Sequence, residues 1–194
     1  MSHLKEVSLN EKTFTPFADA RRMFGFVPNF YKAQSLRPDV IETECAFVGS
    51  VLEKEGALTR RQKEYIFIVC SAANLSTYCL AAHCEIVRGL GMTDPKVEQI
   101  AMDHMKTDLS IPDKVLLTFA RKMNDDTFKF GRDDIERLRP YGFGDEAILE
   151  TMLVVSLAKW ANFLSHALGA EPDFDLPKTL VLPQTPAEST KTAT

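Results

Sequence analysis

A cysteine and a histidine four residues apart lie in the stretch NLSTYCLAAHC, residues 74–84, and together they could perform thiol chemistry. The thiol of Cys79 would be the nucleophile, and His83, one helical turn later, would remove its proton directly or through a water molecule. Glu64 could orient and charge-stabilise the imidazole if the fold brings the two side chains close. Cys79, His83 and Glu64 are therefore the candidate catalytic residues.

The helices expected around this stretch decide whether the three side chains can meet. Glu64 precedes an apolar run, residues 65–73, which predicts a helix that is buried on nearly all sides. Asn74 interrupts the run, and Ser76 is a suitable N-cap for a second helix, so that Cys79 becomes its third residue. A helix N-terminus and a nearby imidazolium both favour a thiolate. We therefore expect a lowered pKa for Cys79.

Two other interpretations of the Cys/His pair are open. A cysteine on an inward helix face is commonly just a small core residue, and a histidine there is commonly a hydrogen-bonded core residue. A metal site with Cys79, His83 and Cys84 as ligands is disfavoured, because adjacent helical residues point about 100° apart. We expect neither a metal ion nor a cofactor.

The composition and the helix signals predict the fold class. The chain has 194 residues, of which 45% are hydrophobic and 26% charged, and this is enough for a sizeable core. Prolines recur at expected first helical turns, and alternating strand patterns are not evident. Glycines that would end helices stand at Gly25, Gly56, Gly91 and Gly169. We predict an all-α fold of about eight or nine helices.

Two parts of the chain resemble each other loosely. A helix that opens at Pro38 and leads to the apolar run 65–73 is echoed by one that opens at Pro112 and leads to the run 148–158. Both parts end at a Leu-Gly pair, Leu90-Gly91 and Leu168-Gly169. This indicates a degenerate internal repeat of a helix-pair unit.

The domain boundary is placed near the end of the second copy. We assign residues 1–170 to a single all-α domain. Residues 171–194 hold four prolines and a Ser/Thr-rich end, so we expect an extended or disordered tail.

Charge and hydropathy argue against several classes of partner. The net charge is −4 and no cluster of lysines and arginines stands out, which disfavours nucleic acid and anionic membrane surfaces. No apolar run approaches the roughly 18 residues of a membrane span, and residues 1–17 lack the apolar stretch of a secretory signal. Four cysteines are too few for a disulfide scaffold. We expect a cytoplasmic protein with reduced thiols and no membrane or nucleic-acid partner.

The residues around the Cys/His pair resemble those of the alkylhydroperoxidase D-like family, which is grouped with the carboxymuconolactone decarboxylases. The family pattern is a glutamate, about a dozen residues, Cys-x-x-Cys, three residues and a histidine. Glu64, Cys79 and His83 match its glutamate, its second cysteine and its histidine. Four further segments are similar to sequences of a peroxidase-related branch of the family: SAAN and RGLGM beside the motif, and FGFVPNF and HALGAEPDF nearer the ends. The resemblance covers most of residues 15–175.

The resemblance implies a bundle of packed helix hairpins that assembles into trimers or hexamers. It also implies that Cys79 reacts with peroxide while Glu64 and His83 relay protons. In the family the first cysteine resolves the sulfenic acid as a disulfide, but Ser76 stands at that position here. Cys45 or Cys70 could take over only if the fold brings it near, so an external thiol is the simpler electron source. The expected function is a single-cysteine hydroperoxide reductase with an antioxidant role.

The decarboxylase branch implies a different chemistry. There the thiol pair is absent and acid–base residues act on a lactone carboxylate. A lyase or isomerase could accordingly use Glu64 and His83 on a small carboxylic acid, with Cys79 incidental. A third interpretation is a non-catalytic, oligomeric member of the family.

Three residues of the second copy have open roles: Trp160, Asn162 and His166. We expect the tryptophan to be a core or interface aromatic. We expect the histidine to be a cation at a helix C-terminus rather than a catalyst.

Overall fold

A computed structural model of the chain describes residues 2–176, which form an all-α fold with no β-strand among them. The nine α-helices of this part are α1 (Thr15–Phe24), α2 (Asn29–Ala33), α3 (Pro38–Val48), α4 (Arg60–Ala73), α5 (Thr77–Gly89), α6 (Asp94–Asp103), α7 (Ile111–Asp125), α8 (Arg132–Glu136) and α9 (Asp145–Leu168). A π-helical turn, Gly49–Glu53, follows α3. The predicted fold class is confirmed.

Helix α4 lies at the centre of the fold and packs against α5, α7 and α9. Its residues from Lys63 to Ser71 are all buried, as the apolar run predicts. By length and composition α9 could cross a membrane, although acidic and polar residues interrupt its apolar runs in the sequence. In the structure α9 packs against α4, α5 and α7, as a core helix does.

The start of α4 is held by side chains from two helices. Thr59 and Gln62 form a reciprocal capping box, in which the Thr59 hydroxyl accepts from the Gln62 amide at 3.2 Å. Glu150 of α9 accepts hydrogen bonds from the backbone amides of Ala57 and Leu58 at 3.1 and 2.8 Å. These contacts fix the first turn of the helix that carries Glu64.

Three of the four glycines predicted to end helices do so. Gly25, Gly91 and Gly169 follow α1, α5 and α9 with φ of 81°, 86° and 64°, a region that glycine adopts without strain. The prediction for Gly56 is wrong. A Cβ there would lie 1.7 Å from the Glu150 carboxylate, so Gly56 permits the close approach of that side chain instead.

The chain between α4 and α5 is a tight break in the core. Asn74 ends α4, Leu75 has a φ of 55°, and Ser76 occupies the N-cap position of α5. The Asn74 amide group donates to Asn124 of α7 at 3.0 Å and to Asn162 of α9 at 2.8 Å. It also accepts from Asn124 at 2.9 Å. The break is thus fastened to both neighbouring helices.

The described part of the predicted tail, residues 171–176, contains no helix. It lies against α2 and α5: Asp173 accepts hydrogen bonds from the Tyr78 hydroxyl at 2.7 Å and from the Asn29 backbone amide at 2.9 Å. The remainder of the predicted tail, residues 177–194, lies outside the described residues. The domain boundary at 170 stays a prediction.

Candidate active site

A histidine–carboxylate pair joins α5 to α4. His83 Nδ1 lies 2.6 Å from Glu64 Oε2, and because a carboxylate only accepts, Nδ1 donates this hydrogen bond. Glu64 is fully buried, and Arg60 Nη2 forms an ion pair with its other oxygen at 2.7 Å. The imidazole stacks on Phe67, with ring centroids 3.6 Å apart. This leaves Nε2 of His83 as the nitrogen that can exchange a proton with a substrate.

Cys79 is the third residue of α5, as expected, and only 4% of it is exposed. Its Sγ lies 3.6 Å from the Ser165 hydroxyl of α9. Burial raises the pKa of the Cys79 thiol above its ordinary value, while hydrogen bonds from Ser76, Ser165 and Asn162 lower it and only partly compensate. The expected lowered pKa is therefore wrong, because loss of solvation outweighs the hydrogen bonds to the thiol.

Ser76 occupies the N-cap position predicted for it, but its side chain does not cap the helix. The buried hydroxyl instead lies 3.3 Å from the Ser165 hydroxyl and within hydrogen-bond reach of Cys79. The position that holds the resolving cysteine in the family pattern thus holds a hydroxyl directed at the same thiol.

Cys79 and His83 lie on the wall of a cavity of about 690 Å³ that opens between α5 and the helices α1 to α3. Six aromatic residues line it: Phe24, Phe30, Tyr31, Phe67, Tyr78 and Trp160. Cys45 of α3 also lines it, whereas Cys70 and Cys84 are buried away from it. A cavity of this size accommodates an organic substrate of one or two rings.

Sequence reasoning missed one acidic residue of the cavity, Glu44. It is 6% exposed, and its Oε2 is buried without a hydrogen-bond partner. Burial raises its pKa to about 7, against a smaller lowering by a hydrogen bond from Gln34. Its burial could have been predicted from the sequence, because Glu44 lies three residues after Ile41 and four before Val48, on the inward face of α3.

The residues of the second half with open roles lie in three different settings. Asn162 is buried, donates to the Ser71 hydroxyl at 3.0 Å and accepts from Asn74. Trp160 lines the cavity and meets Phe30 edge to face, with centroids 6.2 Å apart. His166 is exposed in the last turn of α9, the place expected for a cation. Only Asn162 takes part in the surroundings of Cys79.

The segment that carries this site is similar to known proteins. Residues 38–105 match the model of the carboxymuconolactone decarboxylase family. A solved structure described as an alkylhydroperoxidase AhpD core, an uncharacterized peroxidase-related protein from Ralstonia eutropha JMP134, superposes with a TM-score of 0.83 at 26% identity, over 89% of this chain and 92% of that one. Over residues 38–105 this chain is similar to the carboxymuconolactone decarboxylase family, and its fold is similar to that of the AhpD core.

Two further solved structures are similar in fold. A peroxidase-related protein from Silicibacter sp. TM1040 has a TM-score of 0.80 at 28% identity, over 86% of this chain and 87% of that one. The debrominase Bmp8, solved with 2,3,4-tribromopyrrole, has a TM-score of 0.75 at 15% identity, over 88% and 93%, and shows the fold alone. A search of curated proteins found no match. The family and its structural relatives support a peroxidase-related or decarboxylase-like function.

Proposed function

We propose that this AhpD-like protein is a single-cysteine, thiol-dependent hydroperoxide reductase with an antioxidant role. The observation that carries the proposal is one cavity wall with both Cys79 and His83, the latter hydrogen-bonded to Glu64 at 2.6 Å. A nucleophile, a base and a group that orients the base are the parts such chemistry needs.

The first step is transfer of the thiol proton. Because burial raises the pKa of Cys79, the resting residue is a thiol at neutral pH. His83, one turn further along α5 and facing the same cavity, accepts the proton at Nε2. The Glu64 carboxylate stabilises the imidazolium that forms.

The second step forms a bond between sulfur and oxygen. The thiolate of Cys79 attacks the terminal oxygen of a hydroperoxide ROOH, the O–O bond breaks, and sulfenic acid and RO⁻ result. The His83 imidazolium returns its proton to RO⁻, which leaves as the alcohol ROH. Sulfur loses two electrons and the peroxide gains them.

The third step restores the thiol. A small external thiol R′SH attacks the sulfenic acid, releases water and leaves a mixed disulfide, which a second R′SH cleaves to R′SSR′ and the Cys79 thiol. Ser76 cannot form a disulfide, and Cys45 is the one other described cysteine on the cavity. In this cycle two molecules of a small monothiol supply one electron each.

Trapping of the sulfenic acid tests the proposal. Reduced protein is treated with a slight excess of cumene hydroperoxide in the presence of dimedone, and tryptic peptides are analysed by mass spectrometry. We expect an adduct at Cys79 in the natural protein and in Cys45→Ser, and none in Cys79→Ser. Absence of the Cys79 adduct in the natural protein would contradict the proposal.

A lyase or isomerase acting on a small carboxylic acid is the second candidate. Two observations favour it: the raised pKa of Cys79, and Glu44, whose pKa of about 7 suits an acid–base group in the same cavity. Under this candidate Cys79→Ser keeps the activity and His83→Ala removes it. A non-catalytic protein needs no small-molecule cavity beside Cys79, so the presence of one disfavours that interpretation.

We also infer a homo-oligomer, trimeric or hexameric as in the family, and a location in the cytoplasm. The exposed face of α9 supports the former, because Leu149 and Phe163 are 56% and 73% exposed there and Leu153 lies between them. Light scattering after size exclusion should give a mass above that of one chain. Phe163→Glu should lower that mass, whereas Phe128→Glu, at an exposed residue outside α9, should not.

A further inference from the structure

The lining of the cavity that holds Cys79 includes a carboxyl group of which one oxygen has no hydrogen-bond partner in the described part of the chain. Glu44 is nine-tenths buried, and its Oε2 has no hydrogen-bond partner among the described residues. Leaving a buried acceptor unpaired is unfavourable, and more so when it is charged. Because Glu44 lines the cavity, a molecule bound there can supply the missing partner.

The charges around Glu44 select the kind of partner. Two arginines line the cavity: Arg22 pairs with Asp19, and Arg60 pairs with Glu64 through Nη2, although the buried Nε of Arg60 has no hydrogen-bond partner within residues 2–176. The remaining acidic residues of the lining are Glu44 and Glu53. This wall is therefore acidic, which favours a cation over a second anion.

The remainder of the cavity is aromatic and apolar. Tyr31 and Trp160 line it together with Glu44, and aromatic faces attract cations as well as apolar groups. A ligand that fits both features has an aromatic or branched apolar body and a protonated amine. The N–H groups of the protonated amine donate hydrogen bonds, and the unpartnered Oε2 of Glu44 accepts one.

We propose that Glu44 is a binding residue for a protonated amine, so that the cavity takes aromatic or alkyl amines whose other end faces Cys79 and His83. The amine site depends on the proposed function in one respect: both assume that the substrate binds in this cavity. It adds a substrate class: hydroperoxides or acids that bear an amino group.

Binding can be followed without any reaction, because Trp160 lines the cavity and is the one tryptophan of the chain. The probes are phenethylamine and phenethyl alcohol, which share shape and differ in charge, titrated at about pH 8, where the amine is protonated. The variant is Glu44→Gln. The control is Glu42→Gln, at an exposed glutamate of the same helix.

We expect phenethylamine to bind at least about tenfold more tightly than the alcohol, as one charge-assisted hydrogen bond provides. The ratio should fall to near one in Glu44→Gln and stay unchanged in Glu42→Gln. Equal affinity of the two probes for the natural protein, a preference that survives in Glu44→Gln, or no binding of either probe would each overturn the proposal.

The titration in Cys79→Ser separates this proposal from the proposed function. The amine preference should persist there, since Glu44 and not the thiol contacts the amine. A protein that prefers the amine but forms no sulfenic acid refutes the reductase alone. A protein that forms sulfenic acid without the preference refutes the amine site alone. If Glu44→Gln does not fold, the comparison of the two probes on the natural protein still decides.

Discussion

The two halves of the chain place a long helical segment in the core in different ways. In the first half the segment is broken at residues 74–76 into α4 and α5, whereas in the second half α9 continues without a break from Asp145 to Leu168. The broken half carries Glu64, Cys79 and His83. The continuous half carries none of these, but its Asn162 and Ser165 contact the break and the thiol.

The difference shows what a helix break can contribute to a site. It creates a helix N-terminus inside the core and turns α5 back along α4, so that residues from two consecutive helices meet at His83 and Glu64. A continuous helix cannot bring its own residues together in this way. It can provide a rigid neighbouring surface with hydroxyl and amide groups at fixed positions, which is what α9 does.

The largest expected contrast is between two buried or half-buried glutamates, one from each half. Glu64→Gln removes the charge that stabilises the His83 imidazolium, so the rate of hydroperoxide consumption should fall about 100-fold or more. Glu150→Gln weakens the hydrogen bonds to the loop before α4 and should lower the free energy of unfolding by about 1–3 kcal/mol. The rate per folded molecule should not change.

Both quantities are measurable on the same samples, by peroxide consumption and by urea unfolding. Similar losses of rate in the two variants would contradict a catalytic role for Glu64 and a purely structural role for Glu150.

The next contrast concerns the hydrogen bonds that hold the break between α4 and α5 to α7 and α9. Asn74→Ala removes the hydrogen bonds that the Oδ1 atoms of Asn124 and Asn162 accept, and we expect the free energy of unfolding to fall by about 2–3 kcal/mol. Asn162→Ala should have an effect of similar size. Because the two amides belong to one network, the double variant should lose less than the sum of the single losses. Strict additivity in urea unfolding would contradict a shared network.

The surroundings of Cys79 predict how its reactivity depends on pH. Since burial raises the pKa of Cys79, the thiolate is the minor form, and alkylation by iodoacetamide should rise about tenfold per pH unit between about pH 7 and 9. Ser165→Ala removes a hydrogen bond that lowers this pKa, so alkylation should slow by about threefold at each pH. Ser156→Ala, at an exposed serine of the same helix, should leave it unchanged.

Quantitation of the Cys79 peptide by mass spectrometry checks both statements. A plateau below about pH 8 would mean that the thiolate is stabilised after all, and that burial is not the dominant influence.

The smallest effect compares one substitution in both halves. Leu75 is exposed and has a φ of 55°, which strains an L-residue by roughly 1 kcal/mol, so Leu75→Gly should raise the free energy of unfolding by up to about 1 kcal/mol. Leu149 is exposed within α9, where glycine is a poor helix former, so Leu149→Gly should lower it by at least about 1 kcal/mol. Changes of the same sign would remove the distinction between break and helix.

Spacing along helices made much of the site predictable. His83 follows Cys79 by one turn, and the apolar run after Glu64 required a buried helix, so the closeness of His83 to Glu64 follows from two local patterns and one hairpin. The N-cap position of Ser76 followed in the same way. The catalytic roles of these residues stay predictions.

Tertiary properties were not accessible to the same reasoning. The pKa of Cys79 depends on how much solvent α9 and α1 to α3 exclude, and the direction of the Ser76 hydroxyl depends on Ser165, which lies far away in sequence. Glu44 was passed over because an acidic residue on an inward face is rare. Gly56 was misread because its neighbour, Glu150, comes from the other half.

The burial of Cys79 has a consequence for the choice of reductant. With 4% of the residue exposed and Cys79 on the cavity wall, the proposed sulfenic acid would be reached through the cavity, which favours a small or extended thiol over a cysteine on the surface of a folded protein. A tripeptide-sized thiol or an extended peptide can enter. The lifetime of the oxidised state would then be set by the concentration of such small thiols, and the protein would sense the thiol supply of its surroundings as well as their peroxide.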